Sequence, residues 1–270
     1  MASTLFFLVA RRFLISPCRL PIRHKITAAD CSSNLSARCN PMFDHRPLRH
    51  FLNDKLRLYY DDTYYGYSVQ VEDGPLIENY LESSLLMLNT ATNINYNTFA
   101  FRIELRFPKV MPRLPMHDDN QVLARFLRFL RYELKTAKTK YTTQLRYIWA
   151  REQDTSIKPH YHLMILLNKN AFDSLGVFAS DEYDMYSRDN LYHRMMRAWL
   201  KAMGYDHDDP RFQQLVNVSK NKITGEYWTG ILHRDDWFSM DEAMYMASYL
   251  CKAYTKPIGQ GMHVFDASRV

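Results

Sequence analysis

The stretch REQDTSIKPHYHLMILLN, residues 151–168, carries the reading on which the fold turns. A strand-like run over 145–151 leads into it, a polar loop follows around 154–159, and an apolar run over 161–167 leaves it, as in two strands joined by a hairpin. His160 and His162 stand two apart, so both imidazoles project from one strand face, with Tyr161 on the other. A hairpin that sets Glu152 opposite His160 brings a carboxylate to the same face, with Cα atoms about 5 Å apart. Two nitrogens and one oxygen form a donor set with coordination positions to spare. It suits Mg2+ or Mn2+ with phosphate oxygens in the free positions, and ligand type alone equally admits Zn2+. An H-x-H pair by itself is more often two partly buried histidines than a metal site, so its neighbours decide.

Outward from the hairpin, FAFRIELRF (99–107) alternates Phe99, Phe101, Ile103, Leu105 and Phe107 against Arg102, Glu104 and Arg106, which predicts a half-buried strand ended by Pro108. Residues 76–88 and 190–203 have helical spacing, and Leu215 to Val218 reads as a short strand. Residues 120–138 repeat Leu123, Leu127, Leu130, Leu134 and Ala137 along one seam, with Arg125, Arg128, Arg131, Lys135 and Lys138 turned largely away from it. That basic stripe is the candidate for tracking a DNA backbone, and its plain alternative is a solvated helix face. Strands and helices are intermixed without repeats, so the expected class is α+β, a mainly antiparallel central sheet flanked by helices.

A metal-held phosphodiester needs a nucleophile, and SMDEAMYMASYLCKAYTKP (239–257) offers one. Ser239 and Glu242 stand in the relation of a capping box, and Pro257 stops the predicted helix. Tyr245 and Tyr249, four apart, share a helix face, with Lys252 a turn beyond Tyr249. A tyrosine oxygen attacking phosphorus, with the lysine offsetting the developing charge, gives a 5′-phosphotyrosine and a free 3′-hydroxyl. Attack by a 3′-hydroxyl reverses the step without ATP. A tyrosine on an apolar helix is otherwise an ordinary core residue.

At 270 residues with 47% hydrophobic content, the chain is long enough for one substantial core. Its eight glycines form no phosphate-binding loop, so unwinding is expected from a host helicase. The net charge of +6 is uneven: residues 1–40 hold six Arg/Lys against Asp30, and residues 101–160 hold thirteen basic against six acidic side chains. A basic middle between acidic flanks points to a phosphate-binding face. Cys18, Cys31, Cys39 and Cys251 show no metal-binding spacing and read as reduced thiols in a cytoplasmic protein of a bacterial host. No run of 18 apolar residues predicts a membrane span.

The order of FAFRIELRFP, an E-x7-H-Y-H block and a Y-x-x-K helix resembles the HUH endonucleases, and within them the inovirus gene-two-product-like replication proteins, also called YagK/YfjJ-like. GYSVQVEDGPLIENYLESSLLML (66–88), WAREQD (149–154), KPHYH (158–162) and SYLCK (248–252) extend the resemblance from about Gly66 to about Lys256. It implies a ferredoxin- or RRM-like palm with the metal on one sheet face. His160 and His162 are then the metal-binding histidines, with Glu152 a third ligand, Tyr249 the nicking tyrosine, Lys252 the motif lysine and Tyr245 the first tyrosine of two-tyrosine relatives. The implied activity is nicking and rejoining of single-stranded DNA at a replication origin in rolling-circle replication of a phage, prophage or plasmid.

The expected layout is an N-terminal extension (1–41), a Tyr-rich segment with a helix (42–95), the nicking domain (96–262) and a tail (263–270). Two rivals stand beside this reading. One is a catalytically silent, prophage-derived DNA-binding regulator. The other is a zinc hydrolase that adds the acidic loop 206–209 to the two histidines.

Overall fold

In the computed structural model, the residues described are 46–153, 157–205, 214–221 and 224–269. The N-terminal extension with Cys18, Cys31 and Cys39, and the acidic loop 206–209, lie outside them. The described part belongs to one unit, Arg46–Val270.

Short strands come first. β1 (Arg49–His50), β2 (Asn53–Tyr59) and a later β5 (Leu76–Ile77) form a three-stranded sheet, and β3 (Thr63–Tyr64) and β4 (Tyr67–Ser68) form a hairpin. The hairpin loop is the pair Tyr65 and Gly66, with φ of 50° and 83°, the positive values that a two-residue loop of this hand requires. Leu76 and Ile77 are spent on pairing with Tyr59 and Leu58, so α1 (Glu78–Ile94) begins two residues after the predicted start.

The main sheet is built from β6 (Asn97–Leu105), β7 (Arg146–Glu152), β8 (His160–Asn168), β9 (Val216–Val218), β10 (Thr229–His233) and β11 (Phe265–Ala267), with α2 (Gln121–Lys135), α3 (Leu191–Met203) and α4 (Trp237–Ser248) between them. Its order is β10-β6-β8-β7-β11, with β9 also paired to β6, and every pairing is antiparallel. The fold is therefore α+β, a mainly antiparallel sheet flanked by four helices. Among the described residues, no helix is long and apolar enough to cross a membrane.

Strand periodicity of two gives the sheet two different faces. Phe99, Phe101, Ile103 and Leu105 join Trp149, Tyr161, Leu163 and Ile165 under α2 and α3, where Phe126, Leu130, Met195 and Trp199 close the larger core. Ala100, Ile148, Ala150, Met164 and Leu166 face the other way, under Leu81 and Leu88 of α1 and Met240, Met244 and Ala247 of α4. Each large apolar side chain so covered contributes roughly 1.5–3 kcal/mol.

That second layer corrects the half-buried reading of residues 99–107: α4 covers the polar face too, and Arg102 is buried beneath it. Residues 263–270, expected as a tail, contain β11, which pairs with β7 and stacks Phe265 on Tyr80 with ring centroids 4.2 Å apart. Cys251 is a free, buried thiol beside Ser84, its pKa pushed up to about 12 by burial.

Candidate metal centre

Three adjacent strands end at the same edge, and each contributes to one cluster. Glu152 of β7 is the register partner of His160, and Glu104 of β6 is the partner of His162. All four positions have the parity of the α1/α4 face. His160 Nε2 lies 3.6 Å from Glu104 Oε1 and 3.7 Å from Glu152 Oε2, while His162 Nε2 lies 3.2 Å from Glu152 Oε2. Ligand atoms of Glu104, His160 and His162 all fall within 4.8 Å of one another.

The donor set fits a divalent cation. Among the described residues neither ring nitrogen of His162 nor Oε1 of Glu152 makes a hydrogen bond of good geometry; they meet only the ion-pair approaches of His162 Nε2 to Glu152 Oε2 and of Lys256 Nζ to Glu152 Oε1, and a bound divalent cation would satisfy them more fully. Burial opposes ionisation of Glu152 but is outweighed by His160, His162 and Lys256, which hold its carboxyl far below the usual carboxylate range. Burial lowers the His162 pKa against the pull of Glu152, so His162 favours the neutral form that can ligate a metal.

Tyr249 comes to this cluster through a change of helix geometry. Asp236, not Ser239, caps α4, accepting from the backbone N–H groups of Phe238 and Ser239, and Glu242 instead accepts from Trp228 Nε1. The α-helix stops at Ser248, and Tyr249–Cys251 continue as a 3-10 turn. Lys252 then leaves the helix in extended geometry and bridges to Leu76, so the predicted helix does not reach Pro257. The Tyr249 ring meets the His162 ring edge-on at 5.2 Å between centroids. The Arg102 guanidinium lies 4.2 Å from the Tyr249 ring centroid and Lys252 Nζ 3.9 Å from it. Burial, then Glu152, raises the Tyr249 pKa, while Lys252 and Arg102 oppose the rise.

Glu152, His160, His162, Tyr249 and Lys252 thus converge. Tyr245 sits one turn earlier on α4, 37% exposed, its pKa raised by burial and by Glu72. Arg125, Arg128, Arg131, Lys135 and Lys138 do not converge with them: α2 lies on the opposite sheet face, and Arg125 donates to the Ala202 carbonyl of α3.

Three residues escaped the sequence reading. Glu104 and Arg102 were legible only as the polar half of an alternating strand, whose parity matched that of the histidines once pairing was known. Lys256 had no signal at all. Its side chain is 0% exposed, 3.6 Å from Glu152 Oε1, and donates to the Lys252 carbonyl at 2.8 Å.

Comparison with known proteins gives a family and two relatives. The family model described as the YagK/YfjJ C-terminal domain matches residues 60–268. The uncharacterized protein YfjJ of Escherichia coli (strain K12) is 27% identical over 73% of this chain and 97% of its own length. The uncharacterized protein YagK of the same strain is 28% identical over 66% of this chain and 86% of its own. Among solved structures, the catalytic domain of the adeno-associated virus type 5 Rep protein aligns at 13% identity with a TM-score of 0.27, covering 56% of this chain and 96% of that one. At that score the superposition carries no argument.

Proposed function

The chain belongs to the YagK/YfjJ C-terminal domain family, and from the placing of a phenol beside a cluster of metal-ligand type we propose a metal-dependent enzyme that nicks and rejoins single-stranded DNA through a tyrosine, starting rolling-circle replication of a phage, prophage or plasmid. The observation that carries the reading is the contact between the Tyr249 ring and His162, a phenol beside a cluster of metal-ligand type. A binder alone has no use for it: burying carboxylates, a lysine and an imidazole together costs stability.

His160, His162 and Glu152, with Glu104 as a further carboxylate, would hold Mg2+ or Mn2+, which when bound supplies Lewis-acid polarisation of the scissile phosphate. The remaining steps belong to the chain. Tyr249 Oη attacks phosphorus, the bond from phosphorus to the 3′ oxygen breaks, and the phenolic proton is passed to that oxygen. The products are a 5′-phosphotyrosine and a 3′-hydroxyl, and attack by a 3′-hydroxyl on the phosphotyrosine restores both strand and phenol. Lys252 and Arg102, packed on the Tyr249 ring, favour the phenolate and offset charge on the phosphoryl oxygens. Tyr245 is the candidate for a second, alternating nucleophile. The implied partners are an origin in single-stranded form and a host helicase, in a bacterial cytoplasm.

The test incubates the protein and Mn2+ with single-stranded segments tiled from the DNA flanking its own gene, then looks for a denaturant-resistant adduct. Tyr249→Phe is expected to bind DNA without forming the adduct. An undiminished adduct in the Tyr245→Phe/Tyr249→Phe double variant would end the proposal.

A further inference from the structure

The basic stripe of α2 faces away from the metal centre, yet it borders a groove of about 860 Å³ between the end of α2, the following loop and the β7–β11 edge. Arg131 and Lys135 line one wall, and Arg146 and Arg269 the other, against a single acidic neighbour, Asp266. Arg146 binds the Arg269 carbonyl and Gln144 Oε1 through its two terminal nitrogens, which fixes its guanidinium at the groove wall. Its Nε is shielded and has no hydrogen-bond partner among the described residues. Two flat rings complete the lining: Tyr141, 46% exposed, and Tyr147, with the Arg131 guanidinium 5.8 Å from its centroid.

We infer that this groove is a second nucleic-acid contact, holding the backbone of single-stranded DNA remote from the nicked phosphate. Cations on both walls suit a phosphodiester chain, and the exposed ring of Tyr141 gives unpaired bases a surface to stack on whatever their sequence. The groove lies at the start of β7 and the metal cluster at its end. Glu152 lies six residue steps along the strand from Arg146, which sets the two about 20 Å apart. A strand gripped there is anchored independently of the metal and of the covalent bond. After nicking, such a grip keeps the unattached part of the strand within reach for rejoining. This last consequence rests on the nicking proposal; the binding does not.

The experiment measures binding of a fluorescein-labelled oligothymidylate by anisotropy in EDTA over a salt series. The Arg131→Ala/Lys135→Ala variant removes two exposed cations and is expected to lower the log–log salt slope by about 1.4. Tyr141→Ala is expected to weaken binding about 5- to 150-fold. A control variant, Lys55→Ala/Lys109→Ala, removes two exposed cations elsewhere and is expected to keep the wild-type affinity and slope. Wild-type affinity and slope in the groove variants overturn the inference, as does a wild-type protein that does not bind the oligonucleotide. Because EDTA removes the metal, a protein that binds through the groove but never forms the Tyr249 adduct sinks the nicking proposal and leaves this one standing.

Discussion

Lys256 and Glu152 form a buried ion pair behind the metal centre, with Nζ 3.6 Å from Oε1, while the same ammonium donates to the Lys252 carbonyl. One side chain thereby ties the carboxylate of the cluster to the turn that presents Tyr249. Lys256→Met leaves the carboxylate buried without its counter-charge, a change expected to cost roughly 3–5 kcal/mol in the metal-free protein. A divalent cation restores positive charge at that carboxylate, so Mn2+ is expected to raise the melting temperature more in the variant than in the wild type. Equal Mn2+ shifts in the two proteins contradict this coupling.

Glu104 and Glu152 approach the histidines from opposite neighbouring strands, and a cation between them would feel both. Glu104→Gln and Glu152→Gln are each expected to weaken Mn2+ binding by at least about tenfold, measured calorimetrically. Retention of wild-type affinity by Glu104→Gln would remove that residue from the ligand set.

Arg102 reaches Ser219 Oγ and the Met246 carbonyl while packing on the Tyr249 ring, so it fixes the phenol by stacking and by backbone contact. Arg102→Met is expected to slow adduct formation without weakening Mn2+ binding, because Arg102 is no ligand and its positive charge beside Glu152 and Glu104 opposes a cation there. Loss of Mn2+ binding in this variant would instead mean that Arg102 supports the whole cluster.

Burial is the largest cause lowering the pKa values of His50, His117, His162 and His193 below 6.5. Each holds a proton less readily in the fold than in the unfolded chain, so the unfolded state binds more protons on acidification. The stability they contribute is full above about pH 6.5 and is lost as the pH falls through their lowered values. Thermal melts in EDTA are expected to fall steadily from pH 7.5 to 5.5, and a flat curve would contradict the assignment.

The Cys251 thiol, raised to about 12, is almost wholly protonated at pH 8 and shielded from reagent. Iodoacetamide at that pH is expected to leave Cys251 unmodified in the native protein and to label it in urea, as read by peptide mass mapping. Rapid native labelling of Cys251 would show that α4 opens from α1.

Much of this molecule is local in origin. The alternation in residues 99–107, the helical seam of α2 and the hairpin from Arg146 to Asn168 are short-range patterns, and hydrophobic periodicity fixes them before any long-range contact forms. The pairing of Glu152 with His160 follows from the same hairpin, because two strands in one register have few ways to align seven residues. Glu104 is different: its approach to His162 needs β6 to lie beside β8, across a separation of 58 positions that no local pattern encodes. Lys256 is further out of reach, since its ammonium meets Glu152 only after the chain leaves the α4 helix at Tyr249 and Lys252 bridges to Leu76. The face on which α2 packs was undecided for the same reason. An amphipathic helix specifies that it must bury its apolar side, but which side of a sheet it covers depends on strand order and connection, and these exist only in the assembled core.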